Sequence, residues 1–245
     1  MTSAYEILAQ LKRTASGPMT EARGAEPAFY WNEEVASAEE NAIFRHDWVC
    51  PGLASEIPDV GDYLTFSIAG EPVFSIRDSS GEINTYANIC RHRMMQLLQG
   101  RGRTSRVTCP YHAWSYNLQG QLVGAGHMNH SVGFDKTKIC LPQIRTEIWN
   151  GWIYITLNPD AQSMREALAP LNDVVARYGM EHYVAVLNEE HVWQTNWKLL
   201  TENFMEGYHL PVAHKATVGA WFAPNKTVFP DQSYDSFTYQ TFAKT

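Results

Sequence analysis

The sequence predicts an α+β fold, on three observations. Between Trp48 and about Leu157 the chain breaks into short apolar runs separated by glycine and Asp-Ser-Ser-Gly turns at hairpin spacing. On either side of that block, apolar residues recur at helical spacing. With 245 residues, 44% hydrophobic and 12% aromatic, the chain can bury the core of one large or two modest domains.

From Ala4 to Arg13 the apolar positions Tyr5, Ile7, Leu8 and Leu11 mark an amphipathic helix, closed by Gly17-Pro18. Phe29-Tyr-Trp leads into a second short helix from Ser37 to His46, where Ser37 and Glu40 spell a Ser-x-x-Glu capping box. Residues 1–45 are therefore expected to form an N-terminal helical arm. Gly61–Gly70, Pro72–Arg77, Ile83–Ala87 and Gly151–Leu157 read as strands, giving an antiparallel β domain over 46–158 that ends at Asn158-Pro-Asp. Residues 159–245 form a second domain. It opens with a helix from Met164 to Tyr178, whose stripe of Leu168, Leu171, Val174, Val175 and Tyr178 is expected to be core. His182–Gln194 reads as one or two strands. Steps of four and three residues then place Glu202, Glu206 and His209 on one helix face, with Pro211 stopping the helix and His214 one turn beyond. Phe237–Phe242 alternates like a strand.

The formal charge of -7 comes from 26 acidic against 19 basic residues, and no basic stripe is present, so nucleic acid and anionic membranes are poor partners. No apolar run approaches the length of a membrane span, and the N-terminus lacks a basic n-region before an apolar core, so a soluble, cytoplasmic protein is expected. Of the four cysteines, Cys50 and Cys140 sit in apolar surroundings and are expected to be buried free thiols, as suits a reducing compartment.

Cys90-Arg-His92 and Cys109-Pro-Tyr-His112 carry the chemistry. Two short loops each offer one thiolate and one imidazole, the ligand set of a binuclear iron–sulfur cluster in which two cysteines hold one iron and two histidines the other. A structural zinc site also uses Cys2His2, but zinc knuckles usually pair like with like, whereas each pair here is mixed. Pro110 stiffens the second loop, Trp114 and Tyr116 can shield a cluster from water, and Gln119-Gly120 reads as a hairpin turn. Further on, His209 and His214, with a carboxylate nearby, suit a mononuclear ferrous site of the two-His-one-carboxylate kind.

Asn88-Ile-Cys-Arg-His-Arg and Cys109-Pro-Tyr-His-Ala-Trp-Ser-Tyr-Asn-Leu-Gln-Gly-Gln-Leu122 together resemble the Rieske domain of the α subunits of non-haem iron ring-hydroxylating oxygenases. Glu-Asn-Phe-x-x-Gly-Tyr-His-x4-His is similar to the iron-site motif of the same family. The resemblance implies an antiparallel β Rieske domain followed by the start of a helix-grip (START/Bet v1-like) antiparallel catalytic domain. It implies a [2Fe-2S] cluster on Cys90, His92, Cys109 and His112 and mononuclear Fe(II) on His209 and His214. Glu206 falls where the family has a bridging acid, usually aspartate, linking a Rieske histidine of one subunit to an iron histidine of its neighbour. The implied electron path runs His112, Glu206, His209. The implied partners are a flavin/iron–sulfur reductase that draws on NAD(P)H, dioxygen, a small-molecule substrate and two further copies in a homotrimer.

The chain departs from the family in three places. Ala113 stands where the family usually has glycine. Glu206 replaces aspartate, and Glu-Gly-Tyr-His resembles the branch that oxidises glycine betaine, carnitine or choline, for which Trp221, Phe222, Tyr234, Phe237 and Tyr239 could supply an aromatic cage. The family's third iron ligand, an aspartate, lies far downstream; Asp231 and Asp235 are present, but neither holds that position, so the sequence is expected to be an N-terminal portion of the α subunit. The resemblance thus implies hydroxylation of a C–H bond, by preference N-demethylation of a quaternary ammonium compound. The alternatives are aromatic ring dihydroxylation, a Rieske protein that only transfers electrons, and a zinc-binding module.

Overall fold

A computed structural model describes residues 3–128, 130–219, 224–229, 234 and 236–242. The chain divides into two compact units, Met1–Ala38 with Glu189–Thr245, and Glu39–Asn188.

Helix α1 runs Ala4–Ala15 and starts at Ser3, whose hydroxyl accepts the Glu6 N–H while the Glu6 carboxylate accepts the Ser3 N–H at 2.9 Å. Helices α2 (Ala28–Trp31) and α3 (Glu33–Glu39) follow, and α3 passes directly into a π-helical turn, Glu40–Phe44. Ser37 lies inside α3, so it caps nothing. The capping role belongs to Asn32, whose side-chain oxygen accepts the Val35 N–H at 3.1 Å and so satisfies an N-terminal donor that the helix itself cannot.

The middle of the chain is antiparallel throughout. Strands β1 (Val49–Leu53), β2 (Asp62–Ile68), β3 (Glu71–Arg77), β4 (Ile83–Ala87) and β5 (Arg101–Arg103) join β9 (Gln143–Trp149) and β10 (Trp152–Thr156) in one seven-stranded sheet of order β1-β10-β9-β4-β3-β2-β5. Strands β6 (Val107–Thr108), β7 (Ser115–Tyr116) and β8 (Leu122–Gly124) form a separate three-stranded sheet. The interior strand β3 is buried on both faces: Val73 packs with Ile57, Leu64, Ile68, Ile153 and Ile155, while Phe74 and Ile76 pack with Cys90, Cys109, Trp114 and Tyr116. The second of these cores, between β3 and the small sheet, is where the ligand loops take root. On the Val73 face, buried Ser75 and Thr85 hydroxyls satisfy each other across β3 and β4 at 2.7 Å.

Beyond β10 the outcome differs from the sequence pattern. The single helix expected over Met164–Tyr178 is broken into α4 (Met164–Ala167), a 3-10 turn Ala169–Leu171, α5 (Asn172–Val175) and a turn Ala176–Tyr178. Pro170 is the cause, having no N–H to give to the ladder. Of the expected core stripe only Leu168 is buried, and Tyr178 is exposed. No strand forms over residues 182–194, where Val186, Leu187 and Val192 stand in solvent. Strand propensity there finds no neighbouring backbone to pair with among the described residues. Helix α6 (Trp197–Phe204) and helix α7 (Leu210–Ala213) come next, then β11 (Thr227–Val228) paired with β12 (Thr241–Phe242). Only the last two residues of the Phe237–Phe242 run are therefore strand.

Candidate metal centres

The two ligand loops share one backbone design. In each, the N–H of the residue four places after the cysteine donates to the cysteine carbonyl: Met94 to Cys90 and Ala113 to Cys109, both at 3.0 Å. The cysteine N–H in turn donates to the carbonyl five places on, Cys90 to Met95 and Cys109 to Trp114, both at 2.8 Å. The fourth residue is left-handed in both loops, with φ 56° at Met94 and 57° at Ala113. A glycine would take that conformation without steric cost, which explains why Ala113 stands at a glycine-preferring position.

This backbone points thiols and imidazoles in opposite directions. Cys90 and Cys109 are 0% and 3% exposed, in the core beneath the loops, whereas His92 and His112 are exposed at the tip. The two imidazole rings lie edge to face, centroids 4.8 Å apart. Trp114 stacks flat on His92 at 4.8 Å and meets Phe134 edge to face at 5.6 Å, so it orients the imidazole of a candidate ligand.

Tyr116 does more than shield the site. Its hydroxyl lies 3.3 Å from Cys90 Sγ and accepts the Arg91 N–H at 3.0 Å. Burial, reinforced by the thiol, pushes its phenol pKa well above the usual range, which keeps the O–H available as a donor to sulfur. Buried Asn88 has a role that residue spacing does not reveal: its carboxamide accepts the Leu98 N–H at 2.9 Å and donates to the Leu98 carbonyl at 2.8 Å, closing the first loop at its base. Gly120 is left-handed at φ 78° in the hairpin after the second loop, and a Cβ there would meet the Tyr86 ring at 2.6 Å.

The donor set fits a [2Fe-2S] cluster. Two buried thiols on one side and two exposed imidazoles on the other supply two ligands to each of two irons. A tetrahedral zinc would ask all four to meet at one point. Among the described residues no three His, Cys, Asp or Glu side chains converge on one point, either here or at Glu206, His209 and His214.

Glu206, His209 and His214 are brought together, but not on one helix. Helix α6 ends at Phe204, and Pro211 occupies the first turn of α7 instead of stopping a helix. Proline is tolerated there because its missing N–H would have had no intrahelical partner. Glu206 through His209 form the turn between. Within it one Glu206 oxygen accepts the Tyr208 N–H and, at 3.3 Å, the His209 N–H, while the other is bonded to His209 Nδ1. These bonds, the one from His209 first, hold the Glu206 pKa below the ordinary carboxylate range. The His209 and His214 rings face edge to face at 5.3 Å, one before α7 and one after it. With Nδ1 engaged by the carboxylate, His209 Nε2 is left to bind a metal. Gly219 packs against α7 and its His214 cap: its N–H donates to the His214 carbonyl at 2.9 Å, and a Cβ would meet the Leu210 and His214 carbonyl oxygens at 2.4 and 2.8 Å.

Other sequence-based candidates fare differently. Glu202 accepts the Tyr30 hydroxyl at 2.9 and 3.0 Å instead of facing Glu206 on a helix. Tyr234, Phe237 and Tyr239 stack in a column, centroids 4.3 and 6.4 Å apart, and so do not surround a cation. Trp221, Phe222, Asp231 and Asp235 lie outside the described residues. Cys50 and Cys140 are free but exposed, contrary to expectation: Cys50 lies on the edge strand β1, and Cys140 on an isolated bridge to Gln121 outside the sheets.

Two family models match the chain, the Rieske [2Fe-2S] domain over residues 47–142 and the ring hydroxylating alpha subunit (catalytic domain) over residues 180–244. The glycine betaine monooxygenase oxygenase subunit of Chromohalobacter salexigens is 33% identical over 218 residues, covering 87% of this chain and 49% of its own. A quaternary ammonium Rieske monooxygenase structure, described in terms of carnitine oxidation and inter-subunit electron transfer, superposes with TM-score 0.70 at 30% identity over 76% of this chain and 52% of its own. Naphthalene 1,2-dioxygenase from Rhodococcus sp. superposes with TM-score 0.75 at 30% identity, over 92% of this chain and 53% of its own. The chain spans about half the length of the curated relatives it matches.

Proposed function

Because the chain belongs to the Rieske ring-hydroxylating oxygenase α subunits, we propose that it serves an oxygenase that hydroxylates a C–H bond of a quaternary ammonium compound. Residues 46–158 are the electron-accepting part and 159–245 the oxygen-activating part in this reading, with 1–45 as an arm. Cys90, His92, Cys109 and His112 would hold the [2Fe-2S] cluster, and His209 and His214 a mononuclear ferrous ion. When bound, these groups supply one-electron transfer and the reductive activation of dioxygen.

The observation that carries the reading is the engagement of His209 Nδ1 by the Glu206 carboxylate. It fixes the ring and its tautomer, and the carboxylate keeps lone pairs for a second imidazole. His112, exposed on its loop, is the imidazole we assign to it, from a neighbouring copy in a homotrimer. Electrons would reach the cluster from NAD(P)H through a separate flavin/iron–sulfur reductase in the cytoplasm. The glutamate in Glu-Gly-Tyr-His and the glycine betaine and quaternary ammonium relatives favour N-methyl oxidation. Substrate, dioxygen, two electrons and two protons would give the N-hydroxymethyl compound and water. That compound then releases formaldehyde, a proton and the demethylated amine.

Oxygen uptake coupled to formaldehyde release, measured on the enzyme with its reductase, tests this reading. Uptake with glycine betaine, carnitine or choline that depends on Glu206 is the expected result, and uptake with none of them would sink it. The likeness to naphthalene 1,2-dioxygenase favours a second reading, aromatic ring dihydroxylation, in which a cis-dihydrodiol forms and no formaldehyde appears.

A further inference from the structure

Helix α6 delivers the chain to the Glu206 turn, yet eight residues are too few to be stable alone and two of its large apolar side chains, Leu199 and Phe204, stand in solvent. What holds it comes from the other end of the sequence. Asn196 caps the helix by accepting the Lys198 N–H at 3.0 Å, and its amide also donates to the Tyr30 carbonyl at 2.9 Å. Lys198, buried at 6% exposure, lies with its ammonium 4.7 Å above the Phe29 ring and 5.6 Å from that of Trp197. One turn on, Glu202 accepts the Tyr30 hydroxyl with both carboxylate oxygens. Lys198 and Glu202 are four residues apart and share a helix face.

We propose that α2 is a clamp on helix α6, which leads into the Glu206 turn: Tyr30, Asn196, Lys198 and Glu202 are positioning residues that set where α6 ends and so where Glu206 and His209 sit. Nothing in the sequence pattern links residues 28–31 to residues 196–202. The clamp matters for iron only if the reading of Glu206, His209 and His214 given above is right, and the test separates the two.

The clean variant is Tyr30→Phe, which keeps the ring and removes the hydroxyl. In the cluster-loaded chain, amide exchange at Tyr208 and His209 is expected to quicken several-fold. Binding of Co(II), used alone as the probe, is expected to weaken about tenfold with a changed d–d spectrum, while the cluster's electron paramagnetic resonance signal stays as it was. Glu202→Ala should reproduce both effects without adding to Tyr30→Phe. Glu202→Gln, whose carbonyl still accepts the hydroxyl, should restore them. Unchanged exchange in Tyr30→Phe, or a Glu202→Gln as impaired as Glu202→Ala, would overturn the clamp. Exchange that responds while even the unmodified chain fails to bind Co(II) keeps the clamp and removes the iron reading. Lys198→Met, which keeps the stem and loses the charge, provides an independent break in the same contact and should also quicken exchange at Tyr208 and His209.

Discussion

Single atoms set the character of the cluster loops. The Tyr116 hydroxyl beside Cys90 Sγ stabilises the more negative, reduced state of a cluster bound there. Tyr116→Phe removes it, and a hydrogen bond to sulfur worth roughly 1 kcal/mol corresponds to a reduction potential lower by about 40 mV, readable in a redox titration. No change would mean that the hydroxyl serves only the Arg91 amide. The candidate ligands stood out in the sequence because mixed Cys/His pairs at short spacing admit few other uses. Asn88 was not, since a buried carboxamide closing a loop has no spacing signature. The left-handed residues at Met94 and Ala113 were half visible: the alanine stood out as a departure, and only the backbone shows why.

Strands were easier to read than helices. Alternation and hairpin turns located β2, β3, β4 and β10 within a residue or two because each finds a neighbour in one continuous sheet. Periodicity failed where a local group competes with it. Pro170 breaks one helix, the Glu206 carboxylate captures the amides that would have extended another, and residues 182–194 have strand-like side chains but no partner backbone among the described residues. Gly219 provides a test of how tightly the segment carrying His214 is held. Gly219→Ala forces a methyl against two carbonyl oxygens, and a loss of about 2 kcal/mol is expected in denaturant unfolding, with His214 displaced. A variant as stable as the parent would show that the turn can yield.

For the molecule as a whole, charge and burial are distributed unevenly. Residues 83–134 hold five arginines and no acidic residue although the net charge is -7, a local excess that the overall balance concealed. Arg101 pairs with Glu56 and Arg103 with Asp59 and Asp62, which leaves Arg91, Arg93 and Arg106 to favour adding an electron to a centre on these loops. Alkaline pH is another lever. Burial pushes the phenols of Tyr86 and Tyr154 up to about 12 from an ordinary 10.0, and Tyr116 is raised as well. The unfolded chain ionises first, so their contribution is complete below pH 10 and is lost as pH rises toward 12. Thermal melts should show that loss, and Tyr154→Phe should make it shallower; an unchanged pH dependence would count against these groups. The opposed directions of thiol and imidazole on the ligand loops carry a last consequence, for covalent labelling. Cys50 and Cys140 sit at the surface, although partial shelter of their sulfurs raises both thiol pKa values and slows alkylation near neutrality. Cys90 and Cys109 are sealed beneath the loops. Iodoacetamide at pH 9 should therefore add two masses to the folded chain and four to the unfolded one, so that counting adducts reports whether the loops are closed.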